Sequence, residues 1–248
     1  VAKSDKSTTD ADKETFTARQ FIERLEAYRS PEVAKAHHHL ASDEEDQIIG
    51  VRMGQVFKLA KEFIEMPLDE IERLLESPIH EARVGAVSVM DWQARSKKTT
   101  ETRRKGLFDL YIRRHDRINN WDLVDRSALN VLGSYLLDKP RDILYELARS
   151  ENTWERRTAI VSTLYFIKMG EVDDAFKIAE MLLDDERDLV HKATGWALRE
   201  AGKQDRQRML TFLDQYAATM PRVTLRYAIE PFDKEERDHY LGMKKRKK

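Results

Sequence analysis

The 248 residues carry 44 basic and 45 acidic side chains and a net charge of −1, so the whole molecule has no long-range field to draw in a polyanion and any nucleic-acid surface must be local. The absence of cysteine excludes a disulfide framework, a thiol nucleophile and cysteine-based zinc or iron–sulfur sites, while 41% hydrophobic residues suffice for one sizeable core. No apolar run approaches the roughly 18 residues of a bilayer span, and the opening VAKSDKSTTD lacks the apolar section of a secretory signal, so the expectation is a cytoplasmic protein with no membrane partner.

In chain order, residues 1–15 read as a flexible polar leader before a single domain over 16–243. Phe16, Phe21, Ile22, Leu25 and Tyr28 recur at helical spacing, and Pro31 followed by Glu32 opens a short second helix. His37, His38 and His39 are consecutive, so on a helix they point in three directions and cannot readily share a metal ion. The scattered His80, His115, His191 and His239 add no ligand set, and no phosphate-loop or dinucleotide glycine motif is present, so neither metal nor cofactor is expected. Val56, Phe57, Ala60, Phe63 and Ile64 outline a helix over 51–64; Pro67 opens another over 68–75, and Pro78 precedes one over 79–92. Residues 95–117 hold nine arginines or lysines against three acidic residues, the strongest basic patch outside the KKRKK tail at 244–248. A charge run of this kind is usually a solvated face. Further helices are expected over 121–136, 141–149, 153–168, 172–183, 188–201, 205–216 and 234–241, with Pro221 and Pro231 punctuating the last part. Nothing alternates with period two, and the chain reads as all-α.

A diffuse repeat runs through these helices. EARVGAV at 81–87, ERRTAIV at 155–161 and HKATGWA at 191–197 each set a cation before a compact apolar surface. Arg83, Arg157 and Lys192 are separated by 74 and 35 residues, which fits a unit of roughly 37 residues with one copy missing near Asn120. Helix pairs of that size stack into a curved solenoid, whose inner helices would set Arg83, Trp121, Asp125, Arg157 and Trp196 along one concave surface. The missing copy falls in RRHDRINNWDLVD at 113–125, where Asn119 or Asn120 suits a helix cap. Trp121 and Asp125, four apart, project from one side of the helix that follows. An indole beside a carboxylate, next to clustered cations, suits a cationic or electron-poor ligand carried on a polyanion. The plainer alternative puts Trp121 in the core, Asp122 at the helix dipole and Asp125 in solvent.

The ordered set NNWDLVD at 119–125, ERRTAIVSTLYFIK at 155–168 and HKATGWALREAGK at 191–203 resembles the AlkD-like proteins, the DNA alkylation repair family of HEAT-like-repeat glycosylases. With the helix spacing, the likeness spans roughly residues 34–241. It implies an α-helical solenoid, acting as a monomer, that wraps double-stranded DNA and removes cationic N3- or N7-alkylpurines without a snug flipped-base pocket. By resemblance Trp121 and Trp196 are the aromatic walls of the site, Asp125 its catalytic carboxylate and Arg157 a basic residue near the DNA backbone. Asp122 takes a supporting role. Lys192, Arg103, Arg104, Lys105, Arg113 and Arg114 are the cations available to hold phosphates. GVRMGQVFKLAKEF at 50–63 departs from the usual family segment, so lesion range does not carry over with the motifs. A catalytically inactive DNA-structure binder and a helical-repeat protein-interaction scaffold are the competing readings.

Overall fold

A computed structural model describes residues 16–37 and 46–243; the leader, His38, His39 and the KKRKK tail lie outside the described residues. The first half contains α1 (Ala18–Glu26), α2 (Pro31–His37), α3 (Met53–Glu62), α4 (Leu68–Leu75), α5 (His80–Arg95), α6 (Glu101–Arg113) and α7 (Trp121–Ala128). A π-helical turn, Leu129–Gly133, then joins α7 to the short α8 (Ser134–Leu136). The second half contains α9 (Asp142–Ala148), α10 (Thr153–Lys168), α11 (Asp173–Met181), α12 (Asp188–Gln204), α13 (Arg206–Tyr216), α14 (Arg222–Ala228) and α15 (Lys234–Gly242). Among the described residues there is no strand, only an isolated bridge between Gln47 and Ile79.

Local chemistry explains several boundaries. Thr17 and Gln20 form a reciprocal capping box at the start of α1. The expected helices over 68–75 and 153–168 coincide with α4 and α10, because each is bounded by a residue that caps or cannot extend it: Pro67 before α4 and the side chain of Asn152 before α10. Two helices were not anticipated. α6 was read as a wet basic patch, yet Leu107, Leu110 and Tyr111 fall on one face and are buried beneath the cations. α14, RVTLRYA, is too short and β-branched to announce itself, and Thr224, Leu225 and Ala228 form a helix because they pack on α12.

Helices alternate between two layers. α3, α5, α7, α10, α12 and α14 pack side by side in succession, while α4, α6, α9, α11 and α13 cover one flank. Neighbours in the first layer approach far more closely than those in the second, so the stack curves with the first layer inside, the geometry of a HEAT-like solenoid. Two glycines permit the close approach. A Cβ on Gly133 would lie 2.4 Å from the Ser162 carbonyl of α10, and one on Gly195 would lie 2.6 Å from the Thr224 carbonyl of α14. Side chains cannot yield there, because the obstacle is backbone.

The start of α5 corrects one expectation. Arg83 is not on the concave surface but fully buried, paired with Asp46 at 2.6 Å and donating to the Ser77 carbonyl at 3.3 Å. Glu81, also buried, accepts from the N–H groups of Ile49, Gly50 and Val51 at 2.8–3.2 Å. These two charges fasten the segment before α3 to the inner layer, since an unpaired buried charge or orphan amide would be costly.

Gly133→Ala should lower the unfolding free energy by about 1–3 kcal/mol, the usual range for overpacking a tight contact. Chemical denaturation would read this as a lower midpoint with an unchanged slope, and an unaltered midpoint would show that the two inner helices can part without cost.

Candidate active site on the inner helices

The site begins where α7 begins. Asn120 caps the helix, its side-chain oxygen accepting from the Trp121 N–H at 2.7 Å. Leu123, Val124 and Ala128 turn into the core, which leaves Trp121, Asp122 and Asp125 on the outward side. Trp121 is 40% exposed, unusual for so large an apolar surface. Asp122 Oδ1 accepts from the Leu123 N–H at 2.9 Å, and its Oδ2 receives the Nε2 of fully buried His80 at 2.7 Å. This pairing ties α7 to α5.

One turn on, Asp125 meets Arg157 of α10. Arg157 Nε donates to Oδ1 at 2.9 Å and Nη2 to Oδ2 at 2.7 Å, a two-pronged guanidinium–carboxylate fork. The third nitrogen, Nη1, donates to the Leu189 carbonyl at the start of α12. One guanidinium thus fastens three consecutive inner helices. The Arg157 side chain is only 6% exposed but that of Asp125 is 24% exposed, so the carboxylate is gripped from behind and open in front. Burial pushes the Asp125 pKa up, the bonds and charge of Arg157 pull it down, and the negative charge of Asp122 adds a further upward push. The net direction is above the ordinary 3.8. The guanidinium on both oxygens favours the ionised form against that push.

The repeat accounts for this pairing. Asp125, Arg157 and Lys192 are each the fifth residue of their helix. α7 therefore holds a carboxylate where the next two inner helices hold cations, and the following repeat's cation turns back to meet it.

The structure brings together Trp121, Asp122, Asp125 and Arg157. Trp196 and Lys192 are half-buried on α12, which packs against α10. The five cations expected from the basic patch belong to α6 or its C-terminal end, in the outer layer, and are engaged there. Arg103 donates to Gln93 Oε1 at 2.9 Å and the Met66 carbonyl at 2.6 Å, and Arg104 to the carbonyls of Ala94 and Ser96. Lys105 pairs with Asp109 at 2.6 Å, Arg113 with Glu72 at 2.7 Å and Arg114 with Glu72, Glu76 and Asp116 at 2.8–3.3 Å. Apart from the local pairs Lys105–Asp109 and Arg114–Asp116, they join α6 to its neighbours; none of these bonds reaches Asp125.

Other cations gather where sequence reasoning did not look. The Arg126 guanidinium lies 4.5 Å from the Phe57 ring centroid and 5.5 Å from that of Trp92, which Arg95 and Lys61 also approach at 4.8 and 5.4 Å. Asp91 anchors this group, 3.2 Å from Arg126 and 3.5 Å from Arg95, and burial pushes its pKa up against their pull. The helix expected over 79–92 in fact runs on to Arg95, which puts Trp92 and Arg95 on one face, while Phe57, Lys61 and Arg126 arrive from α3 and α7. Among the described residues no three His, Asp or Glu side chains are grouped so as to hold a metal ion.

The sequence model of the DNA alkylation repair enzymes matches residues 21–232. The chain belongs to this family. A solved structure described as a predicted DNA alkylation repair enzyme from Enterococcus faecalis shares the fold, with a TM-score of 0.64 over 83% of this chain and 97% of that one, at 20% identity. No curated protein sequence gives a significant match. Membership covers every element of the site, since Trp121, Asp125, Arg157 and Trp196 all lie inside the matched residues.

Arg157→Ala would leave the Asp125 carboxylate half-buried and unpaired. The expected loss is about 2–3 kcal/mol, below the full cost of a broken buried pair because Asp125 faces water on one side. A double-mutant cycle with Asp125→Ala checks it: the two losses should be strongly non-additive, and simple addition would mean the fork contributes nothing.

Proposed function

We propose that this family member is a monofunctional DNA glycosylase that hydrolyses the N-glycosidic bond of cationic N3- or N7-alkylpurines in duplex DNA, using water as the nucleophile. The reading rests above all on the pairing of an exposed indole, Trp121, with an Asp125 carboxylate that is clamped on its inner side and open on its outer side.

The chemistry suits so sparse a site. Alkylation at N3 or N7 leaves the purine positively charged, so the bonding pair of the C1′–N bond departs with the base, which leaves neutral and requires no general acid. The barrier lies in the positive character that grows at C1′. An ionised Asp125 beside that carbon stabilises the oxocarbenium-like state, and does so more strongly for being partly desolvated and already oriented. Water adds to C1′, and the carboxylate orients it and takes up its proton. Arg157 holds the carboxylate in place and lowers its basicity, which favours electrostatic stabilisation over proton abstraction as the main contribution. Trp121 and Trp196 offer π faces to the sugar and its developing charge. An exposed tryptophan wall fits a lesion that is approached from the sugar side, whereas a flipped base demands an enclosing pocket. Neutral lesions such as uracil, being poor leaving groups, should be turned over badly.

The fork occupies one lone pair on each Asp125 oxygen, and this favours a second reading, a noncatalytic binder of damaged DNA. Incubation of alkylated duplex DNA with the protein separates the two. Release of 3-methyladenine or 7-methylguanine is expected, and tight binding without release would sink the glycosylase reading. Asp125→Asn should remove most of the release and spare binding; equal rates would discard the carboxylate assignment.

The acid limb of kcat/KM supplies a further check. The ionised carboxylate is the active form and its pKa stands above 3.8, so activity should fall on acidification with a midpoint above that value. Arg157→Gln removes a group that pulls the pKa down, so the midpoint should move to higher pH. A shift to lower pH would contradict the assigned electrostatics.

A further inference from the structure

A cavity of about 550 Å³ opens at the C-terminal ends of α5, the α7–α8 unit and α10. None of Trp121, Asp125 and Trp196 lines it. Its walls include Arg95, Lys97, Arg104, Lys139 and Lys168, against the two carboxylates of Glu101 and Asp138. Both carboxylates are taken by one cation: Lys139 Nζ lies 2.8 Å from each. Lys97 and Lys168 are exposed and have no carboxylate partner among the described residues.

Helix C-termini carry partial negative charge and would repel an anion. At α5 that repulsion is answered, because Arg104 donates to a carbonyl of its last turn at Ala94 and to one just beyond it at Ser96. Tyr135 and Tyr165 add phenols to the wall. Like charges converging from four segments in one concavity repel one another, and an anionic occupant relieves that repulsion. The cations also continue beyond the cavity, through Arg95 to Trp92, Arg126 and Lys61. A line of cations suits a polyanion better than a single phosphate.

Distance connects this cavity to the site. Asn130 and Ser134, on its wall, follow Asp125 by five and nine residues, or about 7–14 Å along the helix axis at 1.5 Å per residue. That is the scale of a duplex groove, about 6 Å for the minor and 12 Å for the major. We propose that this cavity is a phosphodiester-binding site, which receives a backbone phosphate of the same duplex whose damaged nucleotide lies against Trp121 and Asp125. The inference rests on the reading of the site as one for duplex DNA, and it assigns backbone anchorage to the cavity lysines Lys97 and Lys168, in place of Arg103, Lys105, Arg113 and Arg114.

The test measures binding of an undamaged DNA duplex by the full chain as a function of salt, so that it does not depend on base release. Lys97→Ala with Lys168→Ala should lower the slope of log K against log salt by about 0.9 for each lysine, with the arginine replacements at both positions restoring it. Lys105→Ala, which removes a cation already paired with Asp109, should leave the slope unchanged. An unaltered slope in the double alanine variant overturns the proposal. So does protection of the cavity lysines from acylation by inorganic phosphate or pyrophosphate but not by duplex DNA, which would mark a site for a small free anion. A wild-type protein that shows the lysine-dependent slope but releases no alkylpurine refutes the glycosylase and supports this site. Release abolished by Asp125→Asn, together with an unaltered lysine slope, does the reverse.

Discussion

Everything distinctive about this solenoid converges on the fork between Arg157 and Asp125. A guanidinium almost wholly removed from water must have its charge matched and its donors satisfied, and Arg157 achieves this with both Asp125 oxygens and the Leu189 carbonyl. The acceptors lie on α7 and α12 and Arg157 itself on α10, so three successive inner helices meet at one guanidinium. The same contact therefore sets the spacing of α7, α10 and α12 and the orientation of the Asp125 carboxylate between them. Such a pair contributes more to geometric definition than to net stability, because desolvation offsets much of the Coulomb attraction.

Around the fork, the inner layer is braced by other polar contacts of the same kind. His80 holds Asp122, Glu81 gathers three backbone amides, and Arg83 meets Asp46. Close packing makes these necessary. Where Gly133 and Gly195 let backbones touch, little room remains for water, and buried polar groups must find partners within the protein. A second consequence is chemical. Burial raises the pKa of Asp125 most, Arg157 opposes it, and Asp122, one turn before, adds a smaller upward push, so the basicity of this half-buried carboxylate is set by its burial and by two neighbours with opposite effects.

Net charge near zero conceals a division of labour among the cations. Those of α6 are consumed in fixing the outer layer, with arginines bonded to helix-end carbonyls and to Glu72 or Glu76. Elsewhere Arg95 and Arg126 share the Asp91 carboxylate and lie over aromatic faces, and Lys97 and Lys168 have no carboxylate partner among the described residues. Guanidinium groups over Phe57 and Trp92 keep their charge while covering apolar surface. On the proposed function, this separation leaves the catalytic carboxylate flanked by a positive track suited to a phosphate backbone, without making the molecule as a whole basic.

The sequence by itself determined the all-α class, most helix positions and the ordered motifs through which the family is recognised. Helical periodicity, proline and capping residues act locally, within a turn or two, and therefore survive in a one-dimensional reading. It also picked out Trp121, Asp125, Arg157 and Trp196, but as residues alike in type and order to those of a family. The hidden helices α6 and α14 show the limit, since a charged exterior or a β-branched heptapeptide becomes helical only against a neighbour. Tertiary structure decided the rest. It buried Arg83, which the repeat alone would have set on the surface, and it tied most of the arginines at 95–117 to backbone carbonyls or carboxylates. It also brought Phe57, Lys61, Trp92, Arg95 and Arg126 together from three helices. Whether a cation is free or consumed depends on which carboxylates and carbonyls lie within about 4 Å, and the partners that tie one helix to another can be 30 or more residues away in the chain, as Arg157 is from Asp125.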